Sequence, residues 1–267
     1  MAKLWLDPVS HADSAGYDRG HERRAHLHAR LRRSPSPYSV PGSLPVLFFG
    51  DLFSARIATV GLNPSDQEFT DARGALLTGA RQRLATLPAL GAVGRASLTD
   101  AQCDEAIDWM RRYFDDGKPQ YAPYFNHVRR LLAGFGASLT NGTAVHFNLV
   151  QEATHPKWSD MRKTEPEEHT RLLDADLPFL EWQVRSFPID VVICTGKTVS
   201  DHVRMRLDVA VEETGTTALV TWWTGCATVG GRRIGFAGWN RPLHQATGLG
   251  SDGERQLGAV LREKLGC

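Results

Sequence analysis

Cysteine is scarce and poorly placed for structural chemistry. The 267 residues contain four, Cys103, Cys194, Cys226 and Cys267, far apart and without a Cys-x-x-Cys pair. That pattern argues against zinc and against a disulfide framework, and it leaves Cys194, inside an apolar run, as a core residue. No metal ligand set is expected. Also missing is any apolar stretch long enough for a signal peptide or a membrane span, the residues from Asp7 to Arg33 being mostly polar. The expectation is a cytoplasmic protein with no membrane partner. Charge of one sign is missing too: 31 Lys and Arg face 30 Asp and Glu, a net charge of +1. A polyanion partner would therefore have to be held by a local patch rather than by the whole surface. Internal repeats and low-complexity tracts are absent.

What is present suffices for one substantial domain, with 42% hydrophobic residues available for a core. Short β-branched or apolar runs bounded by turn residues predict strands at Arg56 to Leu62, Ala144 to Val150, Asp190 to Thr195 and Arg232 to Ala237. A fifth run, Ala218 to Trp223, is expected to pair with the last through the turn at Gly230 and Gly231. Helical patterns lie between them, at Asp100 to Phe114, Tyr124 to Phe135, Glu167 to Ser186 and Lys197 to Leu207. A final helix from Ser251 to Leu265 is opened by Ser251 as cap. Alternating strands and helices predict an α/β three-layer sandwich around a central, mainly parallel four-stranded sheet. Residues 1–44 read as a basic N-terminal arm and Pro-rich connector, and 45–267 as a single α/β domain. The segment Leu84 to Leu98 shows no clear period.

The arm concentrates cations: Arg19 to Arg33 holds six arginines and three histidines against Glu22 alone. Arg23, Arg24, Arg30, Arg32 and Arg33 can track phosphates. The same segment reads equally as a solvated helix packing Leu27 and Leu31 inward.

In a parallel sheet the residues just beyond each strand are where ligands bind, and three such stretches stand out. After the first strand come Gly61, Leu62, Asn63, Pro64 and Ser65, with Glu68 and Phe69 close behind. The glycine permits close approach, the proline stiffens the turn, and the neutral Asn63 amide can hold a water. The second strand ends at Asn148, whose amide offers one acceptor and two donors, a set suited to a pyrimidine edge. The third stretch is Gly238, Trp239, Asn240, Arg241, Pro242, Leu243 and His244 before the last helix, a composition suited to phosphate gripping and electrostatic work.

Gly61-Leu62-Asn63-Pro64-Ser65, then Asn148, then Asn240-Arg241-Pro242-Leu243, in that order and strand context, resemble the motifs of the uracil-DNA glycosylase superfamily, from about Val46 to Leu265. The chain differs in having Asn240 and Arg241 where many members have His-Pro, and Asn63 where many have an acidic residue. The resemblance implies a cofactor-free enzyme, acting as a monomer, that flips a base out of double- or single-stranded DNA and hydrolyses its N-glycosidic bond. Asn63 would orient the attacking water, Asn148 would read the base, and Asn240 or His244 would stabilise the leaving group. Gly61, Leu62 and Ser65 would line the pocket, with Phe69 as stacking platform and Arg241 on the phosphates. Ser65, small where the uracil-specific branch has tyrosine, leaves room for a 5-substituted base. Such an open pocket looks like that of bacterial antiviral glycosylases that excise glucosylated hydroxymethylcytosine from phage DNA. The alternatives are a repair glycosylase for uracil or 5-modified uracil, a non-catalytic reader of modified DNA, and an α/β hydrolase of free nucleosides.

Overall fold

The β-branched and apolar runs come together as the centre of an α/β fold. The computed structural model describes residues 12–217, 220–241 and 249–266. Its strands are β1 (Ile57–Gly61), β2 (Ala144–Asn148), β3 (Val191–Cys194), β4 (Ala210–Thr217), β5 (Val220–Val229) and β6 (Arg232–Trp239). Its helices, among the described residues, are α1 (Ala12–Leu31), α2 (Asp100–Arg111), α3 (Ala122–Phe135), α4 (Trp158–Thr164), α5 (Pro166–Ser186), α6 (Lys197–Arg206) and α7 (Gly250–Leu265). No described helix is long and apolar enough to cross a membrane.

One sheet runs in the order β2-β1-β3-β6-β5-β4. The four strands β2, β1, β3 and β6 are mutually parallel, as the α/β alternation requires; β3 is buried throughout and β1 in all but Ile57. The sheet is nevertheless mixed and six-stranded, because β5 and β4 extend it antiparallel to β6 and to each other. The β5–β6 hairpin turns at Gly230 and Gly231, both at positive φ, 58° and 77°, which the tight two-residue turn demands. β4 is an exposed, polar edge strand and carries no apolar alternation to announce it.

β1 lies between β2 and β3, so the chain leaves β1 toward one side of the sheet and later crosses back to the other. That reversal opens a crevice at the carboxyl ends of β1 and β3, where open α/β sheets bind ligands. α3 and α7 pack almost backbone to backbone: a Cβ at Gly258 would stand 2.1 Å from the Leu131 carbonyl, and one at Gly134 2.1 Å from that of Arg255. α2 starts with a capping box between Thr99 and Gln102. α7 starts one residue before the expected cap, with Leu249 at the N-cap and Ser251 already inside the helix.

The arm and connector, expected to end at residue 44, pack against the rest of the chain. Leu27 and Leu31 are buried, as the solvated-helix reading requires. The connector is stitched to the chain after β2, with Val40 N–H donating to Ala153 O (2.9 Å) and Val46 N–H to Gln151 O (2.8 Å). Val40 and Leu44 join the same hydrophobic core as the sheet. The arm arginines turn inward as well. Arg24 pairs with Asp104 and Arg32 with Asp100 (2.6 Å). Arg30 and Arg33 both pair with the fully buried Asp176, and the Arg23 guanidinium sits 5.3 Å over the Phe187 ring. Four of these five arginines are thus held by the chain's own acids and Arg23 by an aromatic ring. The unassigned segment before α2 provides Arg95, which forms a buried two-pronged pair with Glu152 (2.6 and 2.9 Å).

Candidate functional site

A cleft of about 550 Å³ opens at the switch point between β1 and β3. The stretch after β1 supplies Gly61, Leu62, Asn63, Pro64, Ser65 and Glu68, β2 supplies His146 and Asn148, and the start of α6 supplies Gly196, Lys197 and Thr198. Asn240 reaches it from the end of β6, and Lys157 and Trp158 from the start of α4. The stretches after β1 and at the end of β2 thus meet in one place with Asn240 of the third, whose residues 242–244 lie outside the described residues.

Gly61 is required by contact rather than by backbone angle. A Cβ there would come within 2.9 Å of both His146 Nε2 and the Tyr124 hydroxyl, and real Cβ atoms do not approach so closely. Opposite it in register is Asn148. Asn148 is 2% exposed, and its Nδ2 has no hydrogen-bond partner. An unpaired buried donor costs about 1–3 kcal/mol, a cost that an acceptor entering the cleft beside it would offset.

Asn63 presents the opposite face. Its Nδ2 donates to the carbonyls of Pro64 (3.0 Å) and Glu152 (3.3 Å). Carbonyls only accept, which fixes the amide orientation and leaves Oδ1 as the acceptor without a partner among the described residues. Ser65 lines the cleft while capping the short 3₁₀ turn Asp66–Glu68, accepting from Gln67 N–H at 3.2 Å. Asn240 is exposed at the rim, its Oδ1 taken by Thr221 N–H at 3.1 Å, so its amide N–H groups remain for a ligand. Arg241 is exposed. His244 lies outside the described residues. Phe69 is displaced from its expected role: it is buried in the core and does not line the cleft, because the 3₁₀ turn places it one step behind Glu68.

Two cleft residues carry chemistry that the sequence reading left unassigned. His146 lies two positions before Asn148, on the same face of β2, packed against Phe49, Tyr124 and Phe125. Burial pushes its pKa down to about 3, a hydrogen bond with Asn148 acting weakly the other way, so the ring is neutral at physiological pH. Its Nδ1 meets Thr59 Oγ1 at 2.8 Å. Glu68 is 2% exposed. Burial raises its pKa to about 8, against the opposing effects of the Tyr113 hydrogen bond and the Arg83 charge. Tyr113 receives the Tyr121 N–H (2.7 Å) and donates its hydroxyl to Glu68 Oε2 (2.7 Å).

The inner cleft wall is therefore neutral near pH 7 and rich in hydrogen-bonding groups, the pattern that suits an uncharged planar heterocycle. Lys157 and Lys197 line the cleft together with Asp66, Lys197 being paired with Asp201 (2.5 Å). Beside them is the uncapped first turn of α6, where Gly196 at φ 100° is the N-cap, and helix N–H groups favour anions. Among the described residues no group of three His, Cys, Asp or Glu side chains is placed to hold a metal ion. No protein-family model matches the chain, and no curated protein matches its sequence.

Proposed function

We propose that the protein is a DNA glycosylase that takes a flipped, 5-substituted pyrimidine into this cleft and hydrolyses its N-glycosidic bond, leaving an abasic site. The observation that carries this reading is the unpaired, buried Asn148 Nδ2 facing the cleft that Asn63 Oδ1 also borders. A donor waits for a base carbonyl, and an acceptor two residues beyond the adjacent strand waits to orient a water. Cleavage builds positive charge on the sugar and negative charge on the departing base. Asn63 positions the nucleophile, Asn148 holds the base, and the amide of Asn240 at the rim offers a further donor. Lys157 and the first turn of α6 suit the flanking phosphates. The small Ser65 side chain in the cleft lining leaves room for a substituted ring, such as the glucosylated hydroxymethylcytosine of phage DNA, which favours it over uracil.

The test is a panel of oligonucleotides carrying uracil, 5-hydroxymethyluracil or 5-hydroxymethylcytosine, together with glucosylated phage DNA, scored for alkali-labile sites. Strand breaks after alkali on one of the 5-substituted substrates are expected. Tight binding to one base with no release from any would assign the cleft to a non-catalytic reader, and release of uracil alone would assign it to repair.

A further inference from the structure

Glu68 is a second polar group facing the cleft with part of its hydrogen-bonding capacity unused. Its Oε2 is taken by Tyr113. The Tyr113 hydroxyl also accepts the Tyr121 N–H, which anchors it on the Oε2 side. Glu68 Oε1 has no partner among the described residues, and Glu68 belongs to the cleft lining, so Oε1 is the oxygen from which a neutral Glu68 can present its proton to a ligand. Other candidate acids in the cleft are poorly suited. His146 is neutral and already engaged with Thr59. The Tyr124 hydroxyl is bound to Thr195 at 3.2 Å and is pushed up to about 12 by burial. The charged and titratable neighbours of Glu68 are Tyr113 and, from the loop beyond, Arg83. Asp66 lies in the same 3₁₀ turn as Glu68, and Lys157, Lys197 and His146 also line the cleft.

We infer that Glu68 is the proton donor to the departing base, and that the excised base is accordingly an aminopyrimidine, a 5-substituted cytosine, rather than a uracil. The inference rests on the glycosylase reading. A cytosine ring offers a lone pair at N3, where a uracil ring carries an N–H, so a carboxylic O–H meets an acceptor in the first and a donor in the second. A cytosine anion also lacks the second carbonyl that spreads charge in a departing uracil, and so leaves poorly without a proton. In the step, the C1′–N1 bond breaks with its electron pair passing to the base, and the Glu68 Oε1 proton moves to N3. The oxygen of the water held by Asn63 bonds to C1′. The proton that this water loses returns to the Glu68 carboxylate through the solvent of the open cleft. The products are the neutral base and a C1′ hydroxyl.

The experiment compares wild type with E68Q, E68D and Y113F on matched oligonucleotides bearing one 5-hydroxymethylcytosine or one 5-hydroxymethyluracil. The carbon-13 signal of the Glu68 carboxyl is titrated in the free protein alongside. Expected are a carboxyl that stays protonated at neutral pH and a kcat on the cytosine substrate about 100-fold or more lower in E68Q with KM nearly unchanged. The loss on the uracil substrate should be under about tenfold, and E68D should recover part of the rate. Wild-type kcat should decline on the alkaline side. That limb should vanish in E68Q and move to higher pH in Y113F, which removes a donor to the ionised carboxylate. Wild-type rates in E68Q, equal losses on both bases, or a carboxyl already ionised at neutral pH would overturn the assignment. No base release by wild type from any substrate, with the carboxyl protonated as expected, would instead locate the failure in the glycosylase reading. Should E68Q not fold, the titration and Y113F still decide.

Discussion

In the proposed reaction Asn63 and Asn148 have separate tasks set by the direction of their amides, and substitutions should separate them. N63A removes an acceptor that acts on water, so kcat should fall by about 100-fold with little change in DNA affinity. N148A removes a donor to the base, so both kcat and discrimination between bases should fall, by about 100-fold or more in rate. Single-turnover rates and equilibrium binding on the same oligonucleotide check both. These two residues, with Gly61, were legible because a strand end and its turn are local in the chain. Glu68 and His146 were not, since what makes them unusual is burial by Tyr113, Phe49 and Phe125, distant in sequence. Phe69 was misjudged for the same reason, the 3₁₀ turn deciding which of two adjacent side chains faces the cleft.

Glu68 also makes a stability prediction. Its pKa rises from 4.5 to about 8 on folding, so between these values the folded protein holds a proton that the unfolded chain has lost. The unfolded state binds fewer protons there, and stability must fall as pH rises, by at most about 1.4 kcal/mol per pH unit from this group. E68Q should melt like wild type near about pH 4 and at a higher temperature near about pH 8. Thermal melts at the two pH values measure the difference.

Among the elements, α3 and α7 are the pair whose approach is set by glycine. G258A places a methyl against the Leu131 carbonyl, where backbone and not a flexible side chain must give way. Overpacking of this kind costs about 1–3 kcal/mol, read as a melting point lower by roughly 2–4 °C per kcal/mol, and α7 should fray first by amide exchange. The parallel strands and five of the helices were legible because buried strands and amphipathic helices write their periods into the sequence. β4 was not, because its exposed AVEETGTT is shaped by pairing with β5 rather than by a buried face. α4 was missed as a seven-residue helix too short for a period to show.

For the molecule as a whole, the arm, read equally as a phosphate tracker or a helix packing its leucines inward, has Arg24, Arg30, Arg32 and Arg33 paired with the protein's own acids. Removing Arg24 or Arg32 should therefore leave the salt dependence of DNA binding unchanged, whereas R241A and K157A should each lower its slope by about one unit. Filter binding at several salt concentrations distinguishes these. R30A should instead destabilise the fold, by about 3–5 kcal/mol, because Asp176 is fully buried and loses part of its compensation.

Asp176 receives Arg30 and Arg33 on one oxygen and the Gln151 N–H on the other, at 2.8 Å. The next residue, Glu152, holds Arg95 by its carboxylate and Asn63 by its carbonyl. The N-terminal helix and the Asn63 amide are thus linked through two consecutive residues. Such a linkage makes them one cooperative opening unit: amides of α1 and of the loop after β2 should share a single exchange rate in hydrogen–deuterium experiments. A protease nick in the arm would then raise exchange at the cleft without touching it.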